Sequence, residues 1–226
     1  MSLPAEITPL IQTILIYALP VLFAITVHEA AHGYAARYFG DNTAYMLGRI
    51  TLNPLKHIDP VGTIVMPLVL YIATSGAFLF GYAKPVPVNF GKLRNPKRHM
   101  VWVALAGPAS NFFQAIFWKL LLVLLVISGV QEPFFIEMAQ GGVLVNLVMW
   151  AFNLFPLPPL DGGRILVGLL PHKQAHLVSR LEPYGFFIVM ALVLAGVVTS
   201  IWLLPLMSLG NGAINLLMSP LLALLR

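Results

Sequence analysis

Long apolar runs separated by short polar connections make up most of this chain. They lie at about residues 8–39, 61–83, 101–130, 141–160, 184–204 and 206–225. A helix needs about 20 residues to cross the hydrocarbon core, so each run is a candidate span. The second run differs from the others, because Gly62, Pro67, Ser75, Gly76 and Gly81 interrupt it and Pro85 and Pro87 follow. Broken backbone at membrane depth is tolerated where protein or a water cavity covers it, so this run reads as a re-entrant dip. Gly40-Asp41-Asn42 supplies a stop and turn after the first run. The pattern predicts an all-α polytopic membrane protein of about five to six transmembrane helices, with a re-entrant, partly β-like segment around 61–90. No internal repeat and no long linker is evident, and one integral membrane domain is expected over 1–226.

Composition agrees, with 59% hydrophobic and 9% charged residues against roughly 25% charged in a soluble domain. Glu6 precedes the first run and no basic stretch leads it, so this run is expected to be mature structure and not a signal peptide. A formal net charge of +5 raises the question of nucleic acid. The basic residues instead gather in short loops: Arg37, Arg49 and Lys56; Lys84, Lys92, Arg94, Lys97 and Arg98; Arg164, Lys173 and Arg180. Nucleic acid is therefore not an expected partner, whereas the lipid bilayer is. The stretch around Glu132 and Glu137 has no Lys or Arg. The positive-inside rule places the three clusters in the cytoplasm and the amino terminus outside. A re-entrant 61–83 satisfies this threading with five spans and a cytoplasmic carboxyl terminus, and it brings Asp161 to the same side as the first run's polar residues.

Those polar residues are His28-Glu29-Ala30-Ala31-His32. Four residues apart on a helix, two imidazoles share one face and can grip one zinc, with Glu29 beside them as the candidate base. From His32 to Arg37 is roughly 7 Å of helix rise, which puts the site in the cytoplasmic half of the membrane. A catalytic zinc needs a third protein ligand and an open position. Zero cysteines exclude thiolate, so the third ligand is sought among carboxylates. Asp161 stands out: it follows an apolar run kinked by Pro156, Pro158 and Pro159, and Gly162-Gly163 behind it allows close backbone approach. A cap or turn role suffices for Asp41 and Asp59. His172 and His176 read as solvated loop residues, and His57 as a residue near the cytoplasmic mouth. Lys119 is expected to face protein or to snorkel. Residues preceding proline avoid α geometry, so Val86, Pro87, Val88 and Asn89 suit an extended edge that receives an unwound substrate as an added strand.

HEAAHGYAARYFGD, LNPLKHIDPVGT, GYAKPVPVNF, ALAGPASN and NLFPLPPLDGG, in this order between Val27 and Arg164, resemble the site-2 protease family of intramembrane zinc metalloproteases. The closer likeness is to its short prokaryotic members without accessory soluble domains. The resemblance implies that His28, His32 and Asp161 bind one Zn2+ per chain and that Glu29 activates the water. It further implies that Asn111 and Asn153 lie near substrate or support the site, and that the family's membrane-dipping β element corresponds to the segment around 81–90. Expected from it is a peptidase core at about 8–165, with additional transmembrane helices at about 184–225. The enzyme would sit in the cell (inner) membrane and cut transmembrane protein or peptide substrates. A membrane zinc hydrolase of another substrate class, or an inactive scaffold or transporter, is the alternative.

Overall fold

A computed structural model of the chain describes residues 7–73 and 81–223. Its first helix, α1 (Ile7–Tyr38), carries the apolar run straight into the histidines. It stops where Gly40 takes φ +112°, a backbone state that suits glycine. Asp41 then accepts the Thr43 amide at 3.0 Å and its hydroxyl at 2.5 Å, which starts the short α2 (Thr43–Met46). Asp59 caps the next turn by accepting the Val61 and Gly62 amides at 3.0 and 2.7 Å. Turn and cap roles for both aspartates match expectation.

The segment that follows includes α3 (Met66–Ala73), and its two ends meet. The Tyr82 amide donates to the Gly62 carbonyl at 2.9 Å, and the Thr63 hydroxyl donates to the Tyr82 carbonyl at 2.8 Å. Chain that leaves at Gly62 and returns beside it at Tyr82 makes no net crossing, as a re-entrant dip requires. The expected breaks at Ser75 and Gly76 lie outside the described residues. Among the described residues there is no strand, and Gly81 to Asn89 has no regular structure. The β-like character expected there is not met.

The long α4 (Pro96–Ile127) runs antiparallel to α1. At one end the Arg94 amide donates to the Phe39 carbonyl at 3.0 Å, and deeper in, Asn111 reaches the Ala24 carbonyl at 3.2 Å. Next, α5 (Pro133–Asn153) runs parallel to α1, with Gly141 against Tyr17 and Gly142 beneath the Trp118 ring. It begins earlier than the apolar run did and ends before Pro156, Pro158 and Pro159, which cannot continue a helical hydrogen-bond ladder. After that proline turn come α6 (Asp161–Leu169) and α7 (His172–Ser179). His172 and His176 are exposed, as expected, but they lie on this short helix and not in a loop.

A bend of 66° separates α7 from α8 (Glu182–Leu194). The break before the last helix falls at Gly196, φ +71°, and not between the last two apolar runs near Pro205. Pro205 has no N–H to give to Ile201, and the helix opens into a wide turn over Val198–Leu203 before continuing as α9 (Leu204–Ala223). Among the described residues, four helical stretches are long and apolar enough to cross a membrane, with α7 and α8 a fifth candidate only as a bent pair.

Helix directions correct one expectation. The Trp202 indole donates to the Ala151 carbonyl at 2.8 Å, Gly210 faces Trp150 and Leu147, and Ile214 and Met218 pack with Ala139 and Val143. The last helix therefore runs antiparallel to α5 and α1. Ala223 lies at the end of the bundle where α1 begins, so an outside amino end and a cytoplasmic carboxyl end do not go together. Large apolar side chains such as Leu15, Phe23, Phe113, Phe117 and Leu216 point outward, as a bilayer allows.

Candidate metal centre

His28 and His32 project one turn apart from α1 toward α4, where their rings meet edge to face with centroids 4.7 Å apart. Each is held by its Nδ1. That of His28 donates to Asn111 Oδ1 at 2.5 Å, and that of His32 donates to the Val103 carbonyl at 2.7 Å. A carbonyl oxygen only accepts, so Nδ1 carries a proton, and in the neutral ring Nε2 keeps its lone pair. The two Nε2 atoms stand 3.0 Å apart. Asp161, brought in as the first residue of α6 beyond the proline turn, sets its Oδ2 3.3 Å from His28 Nε2 and 3.2 Å from His32 Nε2. All three side chains are largely buried, and Asp161 Oδ2 receives no hydrogen bond.

With both rings neutral, three lone-pair atoms face one another and repel unless a cation lies among them. The spacing suits one. Ligands at about 2.0–2.1 Å from a tetrahedral zinc are separated by about 3.3 Å, close to the 3.0–3.3 Å triangle seen here. Among the described residues this is the one group of three such side chains able to share an ion.

Glycine decides how near α4 passes. A Cβ on Gly107 would lie 2.6 Å from His28 Nε2 and still closer to His32 Nε2. Asn111, one turn on, is fully buried and reaches Asn146 on α5 as well as His28. Asn146 was not singled out from sequence. It was visible there as one polar residue in an apolar run, but nothing in the pattern indicated its partner.

Glu29 accepts the Val86 amide on Oε2 at 2.7 Å. The segment bearing Val86 is fixed along its length. Arg49 donates to the Lys84 and Pro85 carbonyls at 3.1 and 3.3 Å, and the Asn89 amide donates to Asp41 Oδ2 at 2.7 Å. Val86 is buried against Gly33, Pro87 is half-buried, and Val88 packs on Ala36, Leu93 and Val103. The Asn89 side chain turns away to accept the Gly91 amide at 3.1 Å. Burial raises the Asp41 pKa, but the Thr43 hydroxyl and amide, the Asn89 amide and the Lys92 charge lower it more, leaving this carboxyl below its usual range. His57, fully buried, donates from Nε2 to the Thr51 carbonyl at 2.9 Å, and its own carbonyl receives the Lys84 amide at 2.9 Å. Asn153 ends α5 with its amide donating to the Met149 carbonyl of its own helix at 3.0 Å, and among the described residues no hydrogen bond joins it to the histidines or Asp161.

The model of peptidase family M50 matches residues 127–196, which include Asp161. The YwhC protein of Bacillus subtilis, provisionally named a zinc metalloprotease, is 38% identical over 88% of this chain and 89% of its own length. This chain belongs to peptidase family M50. The Rip2 protein of Mycolicibacterium smegmatis, provisionally named in the same way, is 32% identical over 76% of the chain, which spans 64% of that longer protein. Zinc metalloprotease MJ0392 of Methanocaldococcus jannaschii is 26% identical over 69% of the chain, which spans 34% of that protein. No solved structure matches. As an M50 peptidase built on long apolar helices, the chain is a membrane protease.

Proposed function

We propose that this M50 peptidase is an intramembrane zinc endopeptidase, holding one zinc per chain through His28, His32 and Asp161 and cutting peptide bonds within or near the transmembrane segments of membrane proteins. The observation that carries it is the triangle of Nε2, Nε2 and Oδ2 atoms at 3.0–3.3 Å, with both Nδ1 atoms already committed to carbonyl acceptors. Zinc bound there supplies Lewis acidity and a water of pKa near about 7. Asn111 and the Val103 carbonyl keep both imidazoles in the ligating tautomer. Glu29 has Oε2 tied to Val86, and Oε1 accepts no hydrogen bond among the described residues. Through Oε1, Glu29 takes the proton of the attacking water and delivers it to the leaving amide nitrogen.

A substrate helix hides its carbonyls in its own hydrogen bonds, so it must unwind before attack. The Val86 carbonyl and both backbone groups of Val88 have no hydrogen bond among the described residues, and Val86 to Asn89 offers them to an extended substrate by strand addition. Asn111 supports the site through His28, and Asn153 bounds it at the end of α5.

The basic clusters support the orientation in the cell membrane. Arg94 joins the end of α1 to the start of α4, and Lys97 reaches the Leu170 carbonyl, so all three clusters sit at one end of the bundle. That end is cytoplasmic, with the site roughly 9 Å inside it by the helix rise from His32 to Tyr38. The deciding experiment measures zinc content and cleavage of a single-span test substrate by purified wild type and Glu29→Gln. One zinc in each, with cleavage by wild type alone, is expected. Zinc without peptide hydrolysis by wild type would point to another hydrolase class, and absence of zinc to a scaffold.

A further inference from the structure

We propose that Asn146 is a positioning residue for His28: it fixes which way the Asn111 amide faces, and thereby which nitrogen of His28 carries the proton. The inference rests on the metal-site reading above. The two histidines are held differently. His32 Nδ1 meets the backbone carbonyl of Val103, which cannot reverse, whereas His28 Nδ1 meets a side-chain amide, which can. If Asn111 turned over, its NH2 would face His28 Nδ1 and drive the ring proton to Nε2, leaving no lone pair for a metal.

The contacts of Asn111 with α1 and α5 prevent that reversal. Asn146 Nδ2 donates to the Gly142 carbonyl at 2.9 Å, a fixed acceptor one turn earlier in its own helix. Asn146 Oδ1 therefore faces Asn111 and accepts from Nδ2 at 3.0 Å. The other N–H of that amide goes to the Ala24 carbonyl at 3.2 Å. Both N–H bonds of Asn111 are thus used, and only Oδ1 remains for His28, at 2.5 Å. Reversal would set the Asn111 oxygen against two other oxygens. Asn111 and Asn146 are both 0% exposed, so water cannot make good the lost bonds. In this way α5, which supplies no group to the triangle, takes part in holding it.

The full chain in detergent tests this through zinc affinity by chelator competition, the 15N signals of the His28 ring in metal-free protein, and the metal-free melting temperature. Asn146→Leu removes the acceptor; it is expected to weaken zinc binding about tenfold, the scale of outer-sphere partners, and to mix the His28 tautomers, beyond the fall in metal-free melting temperature that the unpaired Asn111 N–H itself brings. Asn146→Asp, neutral when buried, keeps an oxygen toward Asn111 and a hydroxyl toward the Gly142 carbonyl, so it should restore both zinc affinity and tautomer. Should Asn146→Leu not fold, Asn146→Ala carries the same expectation. Wild-type affinity and tautomer in Asn146→Leu would overturn the proposal, as would equal losses in the Leu and Asp variants or a loss that only follows metal-free stability. A tautomer change with no zinc uptake by wild type would sink the metal reading while upholding the hold of Asn146 on the ring.

Discussion

At the scale of single residues, the site is a problem of charge and lone pairs before it is one of catalysis. Asp161 lies 3.2 and 3.3 Å from two imidazole Nε2 atoms, an arrangement that suits a shared cation when the rings are neutral. Replacing Asp161 by Ala removes one of three anchors, and zinc affinity should fall by more than the 10–100-fold typical of outer-sphere changes; full occupancy at limiting zinc would remove Asp161 from the ligand set. Glu29 is not in that triangle. Glu29→Gln should keep one zinc per chain while cleavage drops by about 10²–10⁴, the usual worth of a general base. A variant that lost zinc but still cleaved would reverse the assignment. These residues were legible because chemistry constrains spacing: two histidines four apart with Glu29 between them, and one aspartate after a proline-kinked run. Asn146 was not legible, because a lone amide in an apolar run has a partner only once three helices are assembled.

Among elements, the approach of α4 to α1 sets the site, and Gly107 permits it. In Gly107→Ala the new Cβ would stand 2.6 Å from His28 Nε2. Zinc content should fall sharply while helix content by circular dichroism stays as in wild type; a zinc-replete Gly107→Ala would mean that the helices part without cost. The Lys84–Asn89 segment is fastened by carboxylates on α1 and just beyond it, Glu29 and Asp41. Asp41 has a folded pKa below its unfolded one, so its contribution is complete above the unfolded value of about 3.9 and fades as pH falls through the lower folded value. The melting-temperature gap between wild type and Asp41→Asn should accordingly stay constant from about pH 8 to pH 5 and close below about pH 4. A gap that closed near neutrality would show that another group governs the tie. Sequence pattern located the apolar runs but not their ends. Prolines stopped α5 at Asn153, whereas Pro205 was absorbed into a wide turn and the break came at Gly196. Proline removes one donor in either place, and packing decides whether the helix ends or opens.

For the whole molecule, charge determined the threading only where there was charge to read. Basic clusters flank α1, α4 and α6, and the structure gathers them at one end. After Arg180 the only basic residue is Arg226, so nothing in composition oriented the last helix. Packing orients it instead: Trp202 meets Ala151 near the end of α5 that carries the basic side, and Met218 meets the Ala139 end. An even number of crossings must therefore lie between Asn153 and Val198, and the 13-residue α8, roughly 20 Å long, is too short for a full crossing of about 30 Å. The native chain has no cysteine, which makes the threading directly measurable. Single cysteines at Ser128 and Ala223 should react with a membrane-impermeant maleimide added outside intact cells. Those at Arg98 and Lys173 should react only after permeabilisation. Labelling of Ala223→Cys only after permeabilisation, like Lys173→Cys, would mean that the last helix runs the other way, and that α7 and α8 cross the membrane as one bent span.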